Sequence, residues 1–234
     1  MKIALLGYGR MGKTIENIAK ARGHEIVAII DKDNPKDSLN DAEVAINFSI
    51  PSSAVENITH ALNEGVAVVC GTTGWLDSLT DIESLCANKK GAFLYASNFS
   101  LGVNIFFALN EKLAQIMGQH KQYNVSLSEI HHTKKLDAPS GTAITLAEGI
   151  LPYIDKNTWA LEEDAKEIDL TIRAERMADV PGTHTVDYNS ETDKISIEHT
   201  AHNRDGFALG SVIAAEWLNG KSGIFTMKDV INIT

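Results

Sequence analysis

Two cysteines, Cys70 and Cys86, are too few in 234 residues for a disulfide framework. They also lack metal-ligand spacing, so a reducing compartment is expected. Positive charge is short as well: 21 Lys and Arg against 31 Asp and Glu leave a formal net charge of −10. That balance argues against a general nucleic-acid binder, because neutralising phosphates needs clustered basic residues. It still allows a local basic pocket for a small anion. No apolar run reaches the length of a membrane span, and no charged n-region with a cleavage site precedes Ile3–Leu6. A cytoplasmic location without a membrane partner is expected. Repeats, low-complexity tracts and long linkers are missing too. What remains is an ordinary globular composition, 44% hydrophobic and 22% charged, enough for one large or two modest domains.

The first hundred residues alternate between two periodicities. Short apolar runs at 3–6, 25–30, 44–48, 66–70 and 93–96 read as strands buried on both faces. Between them, 12–22, a stretch opened by Pro51 and closed by Gly65, and 77–88 read as helices. Strand, helix, strand with short glycine-bearing turns means a parallel α/β sheet. The second half differs. It offers a long apolar helix at 101–117, strands at 123–130 and 169–173, and a helix at 140–151. Period-2 runs at 183–188 and 194–200 flank Asn189–Asp193 and signal an antiparallel hairpin. An amphipathic helix at 207–218 has no domain of its own and is expected to return to the first one. The expected architecture is a Rossmann-type parallel-sheet domain, residues 1–102 with 205–234, plus a smaller α+β domain, residues 103–204.

Gly7-Tyr8-Gly9-Arg10-Met11-Gly12 matches G-x-G-x-x-G between a strand and a helix, the context the motif requires. Gly7 permits the tight turn, Gly9 lets backbone approach a pyrophosphate, and Gly12 lets helix pack on strand. The helix start offers N–H groups and a positive dipole end to phosphates. Asp31 ends the second strand, where a carboxylate meets the adenosine ribose. The alternative is an ordinary structural turn, which strand, helix and acid together disfavour. Lys32 complicates cofactor choice, since an adjacent cation attracts the extra phosphate of NADPH. NADH with tolerance of NADPH is expected, and Lys32 as a plain solvated turn residue remains open.

The segment from Glu129 to Ala143 is chemically the richest. Two histidines and two lysines follow a strand end, and Asp-Ala-Pro-Ser-Gly-Thr then opens a helix. The N–H groups of Gly141 and Thr142, with the Ser140 and Thr142 hydroxyls, form an anion cradle. Lys135 adds positive charge, and His131 or His132 can carry a proton near neutral pH. A carboxylate-bearing substrate that must be protonated is implied. Other readings stay open: surface histidines, a metal pair, or Ser140 as only an N-cap. A metal pair is disfavoured because adjacent strand residues face opposite ways.

This segment fits E-x-H-H-x-x-K-x-D-A-P-S-G-T-A at each fixed position and resembles the signature of the 4-hydroxy-tetrahydrodipicolinate reductase family. The resemblance extends along the chain, through Gly-Arg-Met-Gly at 9–12, Asn-Phe-Ser at 47–49, Gly-Thr-Thr-Gly at 71–74, Asn-Phe-Ser-x-Gly-Val-Asn at 98–104 and the tail 223–230. It implies a nicotinamide-dependent reduction of a cyclic imine dicarboxylate in lysine and diaminopimelate biosynthesis. It also implies His131 as proton donor or acceptor, Lys135 as a second proton donor, and His132, Ser140, Gly141 and Thr142 as substrate-holding residues. Gly71, Thr72, Thr73, Ala96, Ser97, Asn98 and Phe99 would line the nicotinamide side of the cofactor. No metal is implied. A homotetramer built through second-domain sheets, and hinges near 100–104 and 203–207, are further implications.

Three points depart from the family pattern or stay unassigned. The glycine loop is one residue shorter than G-x-x-G-R-M-G, Arg173–Met177 stands where Arg and Gly are usual, and Arg204 has no assigned role. His184, His199 and His202 read as structural strand residues. An amino-acid dehydrogenase of similar build and a non-catalytic dinucleotide sensor are the competing readings; the complete His-His…Lys…Ser-Gly-Thr segment disfavours both.

Overall fold

The computed structural model describes residues 1–34, 37–203 and 205–232. The first part of the chain runs β1 (Lys2–Leu6), α1 (Arg10–Ala21), β2 (Glu25–Ile30), β3 (Val44–Asn47), α2 (Pro51–Asn63), β4 (Ala67–Cys70), α3 (Leu79–Lys89) and β5 (Ala92–Tyr95). It continues with α4 (Leu101–Met117), β6 (Asn124–His131), α5 (Gly141–Ile150), β7 (Thr158–Leu161), β8 (Asp169–Arg176), β9 (Gly182–Asn189) and β10 (Lys194–Ala201). The last elements are α6 (Asp205–Leu218), β11 (Gly223–Phe225) and α7 (Met227–Val230). Two compact units result, Met1–Leu101 with Asp205–Thr234, and Gly102–Arg204.

In the first unit, six strands form one parallel sheet in the order β11-β5-β4-β3-β1-β2. β3 is buried at every position and β1 at all but its first, as strands covered on both faces must be. One face carries Ile58, Leu62, Trp75 and Phe93 against α2 and α3. The other carries Ile15, Val212, Leu218 and Met227 from α1, α6 and α7. Each fully buried Leu, Ile or Phe contributes about 1.5–3 kcal/mol. An exposed pair such as Lys121–Asp155, on the second unit, contributes at most about 1 kcal/mol. Packing, not ion pairing, holds these layers. α6 differs from the expected single stripe, since Ala208, Gly210, Ser211, Ala214 and Ala215 are all buried. Its small residues allow close approach: a Cβ at 210 would lie 1.7 Å from the Phe99 carbonyl oxygen.

The second unit is a mixed five-stranded sheet, β10-β9-β6-β8-β7, with α4 and α5 packed through Phe106, Ala114, Leu146 and Ile150. β9 and β10 form the antiparallel hairpin expected from their alternation. β6 pairs antiparallel with β9 on one side and parallel with β8 on the other. β8 runs on to Arg176, three residues beyond the strand expected at 169–173. The helix expected over 77–88 starts with a 3-10 turn at Leu76–Ser78 before α3. β7 and β11 were not expected; at four and three residues they are too short to show a period. Among the described residues, no helix is long and apolar enough to cross a membrane. Arg204 lies outside the described residues.

Candidate functional site

The glycine loop leaves β1 at the carboxyl edge of the parallel sheet. β2 lies on one side of β1 and β3 on the other, so this is a topological switch point, where open α/β sheets bind ligands. Gly7 has φ +95°, and a Cβ there would lie 2.4 Å from the Phe48 carbonyl oxygen. A Cβ at 12 would lie 2.4 Å from the Gly7 carbonyl oxygen. Gly9, the N-cap of α1, would meet nothing within 4 Å. Protein packing therefore requires glycine at 7 and 12 but not at 9, where the space is left open. No side chain caps α1 and its first turn has no acid, so its leading N–H groups can receive an anion. This suits a dinucleotide pyrophosphate.

That contrast makes a prediction. Gly9→Ala should leave the melting temperature nearly unchanged but weaken NADH binding about tenfold, or about 1.4 kcal/mol. Gly12→Ala should lower both. Thermal denaturation and an NADH fluorescence titration read the two effects, and equal NADH affinity in Gly9→Ala and wild type would contradict the cradle.

Other expected cofactor residues sit on the same sheet edge. The Tyr8 hydroxyl donates to Glu16, and Lys13 lies over its ring, so the side chain is folded back on α1. Arg10 and Met11 open α1, Arg10 on its exposed side. Asp31 follows β2 and is exposed, its Oδ1 accepting the Lys32 N–H at 2.9 Å. Lys32 is exposed beside it. Gly71, Thr72 and Thr73 follow β4 and, with Met11, Phe48, Ser49 and Pro51, line an open cavity of about 230 Å³. Gly71 is required there, because a Cβ would fall on the Phe48 ring at 2.2 Å. The Thr72 hydroxyl is buried and accepts the Ser49 N–H at 2.9 Å, which ties the loops after β3 and β4 together. Ala96, Ser97, Asn98 and Phe99 follow β5. Asn98 accepts the Ser100 N–H, and Phe99 is buried against Phe48 with ring centroids 5.7 Å apart.

In the second unit, His131 is the last residue of β6 and not a loop residue. Glu129 lies two positions back and so on the same strand face. Glu129 is fully buried, which for an unpaired charge would cost several kcal/mol. It is well paired. Ser140 donates its hydroxyl to Oε2 and its N–H to Oε1 at 3.1 Å, and Arg176 approaches Oε1 at 3.5 Å. His131 Nδ1 lies 3.5 Å from Glu129 Oε2, and His184 Nε2 lies 3.6 Å from the same oxygen. These three side chains have a spacing that a divalent ion can bridge. The Ser140 and Arg176 contacts already satisfy the carboxylate, so the cluster reads as a hydrogen-bonded network. Burial pushes the Glu129 carboxyl up, but His184, Ser140 and His131 outweigh it and hold the group at about 2. Burial, aided by the charges of His184, Lys135 and Arg176, lowers His131 to about 4 against the opposing pull of Glu129.

Beyond the strand, the loop is fixed from two sides. The Lys135 N–H donates to the His132 carbonyl at 3.0 Å, and Arg176 donates to the carbonyls of Lys135 and Asp137 at 3.4 and 2.6 Å. Lys135 Nζ pairs with both Asp137 carboxylate oxygens, at 2.9 and 2.7 Å. His132 is half-buried just past the strand. Ser140 is both N-cap of α5, accepting the Ala143 N–H at 3.2 Å, and partner of Glu129. Its hydroxyl is thus committed inside the protein. The Gly141 and Thr142 N–H groups find no acceptor among the described residues, and a Cβ at 141 would meet nothing within 4 Å. The α5 start is open to an anion.

Sequence reasoning missed three participants. His184 was read as structural, yet it faces Ser140 Oγ at 3.2 Å and stacks edge-on to His131. Arg176 lies just past the strand read at 169–173, in a segment noted only as a departure from the family pattern. Glu129 was quoted in the signature without a role; its same-face spacing from His131 was the available signal.

Comparison with known proteins agrees with this layout. Residues 1–99 match the profile described as dihydrodipicolinate reductase, N-terminus, and residues 102–231 that described as dihydrodipicolinate reductase, C-terminus. The 4-hydroxy-tetrahydrodipicolinate reductase of Christiangramia forsetii is 56% identical over 99% of this chain and 98% of its own length. That of Lawsonia intracellularis is 33% identical over 95% of this chain and 96% of its own length. Among solved structures, a dipicolinate-bound dihydrodipicolinate reductase from Paenisporosarcina sp. TG-14 shares the fold at TM-score 0.78 and 21% identity, covering 100% of this chain and 99% of that one. With both profiles matched along nearly the whole chain, this protein belongs to the dihydrodipicolinate reductase family.

Proposed function

We propose that the protein reduces 4-hydroxy-tetrahydrodipicolinate, or its dehydrated form, to tetrahydrodipicolinate in lysine and meso-diaminopimelate biosynthesis. The observation that carries this reading is a buried histidine–carboxylate pair, His131 with Glu129, on the unit whose α5 start is open to a carboxylate. A bound pyridine nucleotide would supply hydride to the conjugated ring, which forms from the 4-hydroxy substrate by loss of the hydroxyl as water. His131 then provides the proton that completes addition across the double bond, and Lys135 serves as a second donor. Gly141 and Thr142 hold a ring carboxylate through their N–H groups and the Thr142 hydroxyl. Ser140 shapes that cradle from beneath, and His132 contributes from the strand end. Residues 1–102 with 205–234 hold the dinucleotide through Gly7 to Gly12, Asp31, Lys32, Gly71 to Thr73 and Ala96 to Phe99. Residues 103–204 hold the substrate and assemble a cytoplasmic homotetramer through the outer sheet edge, where Ile195 of β10 is exposed.

Two carboxylates on the substrate explain why an acidic chain keeps Lys135 and Arg176 at this place. NADH should be at least as good a donor as NADPH, because the Asp31 carboxylate is exposed and repels a 2′-phosphate that Lys32 only partly compensates. The test is kcat/KM with each cofactor, the substrate being made in place by dihydrodipicolinate synthase from pyruvate and aspartate semialdehyde. A tenfold preference for NADPH, about 1.4 kcal/mol in transition-state free energy, would overturn the cofactor assignment. Reduction of NAD by added aspartate would instead indicate an amino-acid dehydrogenase.

A further inference from the structure

We infer that Glu129 is a positioning residue for His131: its carboxylate, locked by Ser140 and Arg176 and backed by His184, holds the imidazole as the Nδ1–H tautomer and so makes Nε2 the atom that exchanges the proton. The inference rests on His131 being the proton-transfer group. It adds which nitrogen works, and what fixes it.

The argument starts from the strands. Glu129 and His131 share a face of β6, His184 stands directly opposite Glu129 on β9, and Arg176 pairs with His131 on β8. Sheet register alone therefore gathers two imidazoles and a guanidinium around one carboxylate. A one-residue slip of β6 would turn Glu129 and His131 to the other face.

Hydrogen accounting then assigns the protons. The Ser140 hydroxyl donates its only hydrogen to Glu129 Oε2 and accepts the Ala143 N–H, so the nearby His184 Nε2, at 3.2 Å, must be the donor to Ser140. The chain of donors runs from His184 through Ser140 to the carboxylate. His131 Nδ1 is buried, and Glu129 Oε2 at 3.5 Å is the acceptor it faces. A bare Nδ1 lone pair would be repelled by the carboxylate oxygen and would itself lack a donor. An Nδ1–H resolves both, and a carboxylate behind one ring nitrogen is what fixes a histidine's tautomer and steadies its imidazolium. The distance is long for a hydrogen bond, as active-site contacts without substrate commonly are.

The other nitrogen has been given room. Nε2 lies 3.0 Å from the position a Cβ at 182 would occupy, so glycine there keeps that edge of the ring uncovered. The charged and titratable groups facing His131 are Glu129 on its own strand, Arg176 on β8, His184 on β9 and Lys135 in the following loop. Only Glu129 favours the protonated ring. Its removal should make His131 harder to protonate.

The deciding experiment is ¹⁵N NMR of histidine-labelled full-length protein, with His131 assigned by comparison with a His131→Asn variant. In the wild type at pH 8, Nδ1 of His131 should carry the proton and Nε2 should resonate as a bare nitrogen. Glu129→Gln should blur this tautomer preference. It should also lower kcat at least tenfold with substrate KM within threefold, and move the basic limb of the kcat/KM profile, on which His131 loses the proton it must donate, about one unit lower. A wild-type His131 protonated at Nε2 overturns the proposal. So does a Glu129→Gln enzyme that loses activity with tautomer and basic limb unchanged, since that marks a merely structural carboxylate. If Glu129→Gln does not fold, the wild-type tautomer decides alone. Because the tautomer is read without substrate, it stands even if the reductase reading of the protein were to fail.

Discussion

His131→Ala is expected to lower kcat by about 10² to 10⁴, the range for losing a positioned acid–base group. The side chain is buried at the end of β6, and the neighbouring imidazole does not swing in to replace it, since His184 is engaged with Ser140. The truncation removes an imidazole but keeps the strand, because the backbone ladder of β6 with β8 and β9 does not depend on that side chain. NADH affinity should be nearly unchanged, since the glycine loop and Asp31 belong to the other compact unit. Steady-state kinetics in the coupled assay, beside an NADH titration, separates the two quantities. Near-normal kcat would assign proton supply to solvent and leave the cluster as an anion-binding surface.

The second large effect is expected from Lys135→Ala, a loss of about 10² in kcat. Lys135 is mostly shielded and held by both oxygens of Asp137, and its backbone carbonyl is fixed by Arg176. An ammonium so placed is ready to donate to, or stabilise, negative charge developing on the substrate. Asp137 is held below the usual carboxylate range mainly by the Lys135 hydrogen bond and stays ionised. Thr142→Ala provides the contrast. It should raise substrate KM severalfold and leave kcat close to wild type, because carboxylate binding is present before and during the reaction. If Lys135→Ala changed only KM, as expected for Thr142→Ala, its role would be substrate binding alone.

How far the sequence spoke for itself varies by element. β2, read as Glu25–Ile30, and α4, read as Leu101–Met117, are found at those bounds, because an apolar run and a long helical pattern leave little choice. Gly7 and Gly12 were readable from motif and context, and the close backbone contacts at both explain why no other residue fits. His184 was not readable. Its alternation with neighbours shows that it points inward, but its partner depends on the register of β9 against β6, set by residues more than fifty positions apart. Arg176 was hidden for the same reason, since the strand read at 169–173 reaches it only through its parallel pairing with β6. Ser140 had two readings, cap or ligand. The structure gives it the cap and adds Glu129 as a partner that nothing local announces.

The central claim is a one-hydride, one-proton reduction of a cyclic imine dicarboxylate. The most direct measurement is the amount of NADH oxidised per aspartate semialdehyde supplied, with excess pyruvate, dihydrodipicolinate synthase and this protein present. The account predicts one NADH consumed per aspartate semialdehyde, none when the synthase is omitted, and tetrahydrodipicolinate as the product. No synthase-dependent oxidation of NADH or NADPH would contradict it.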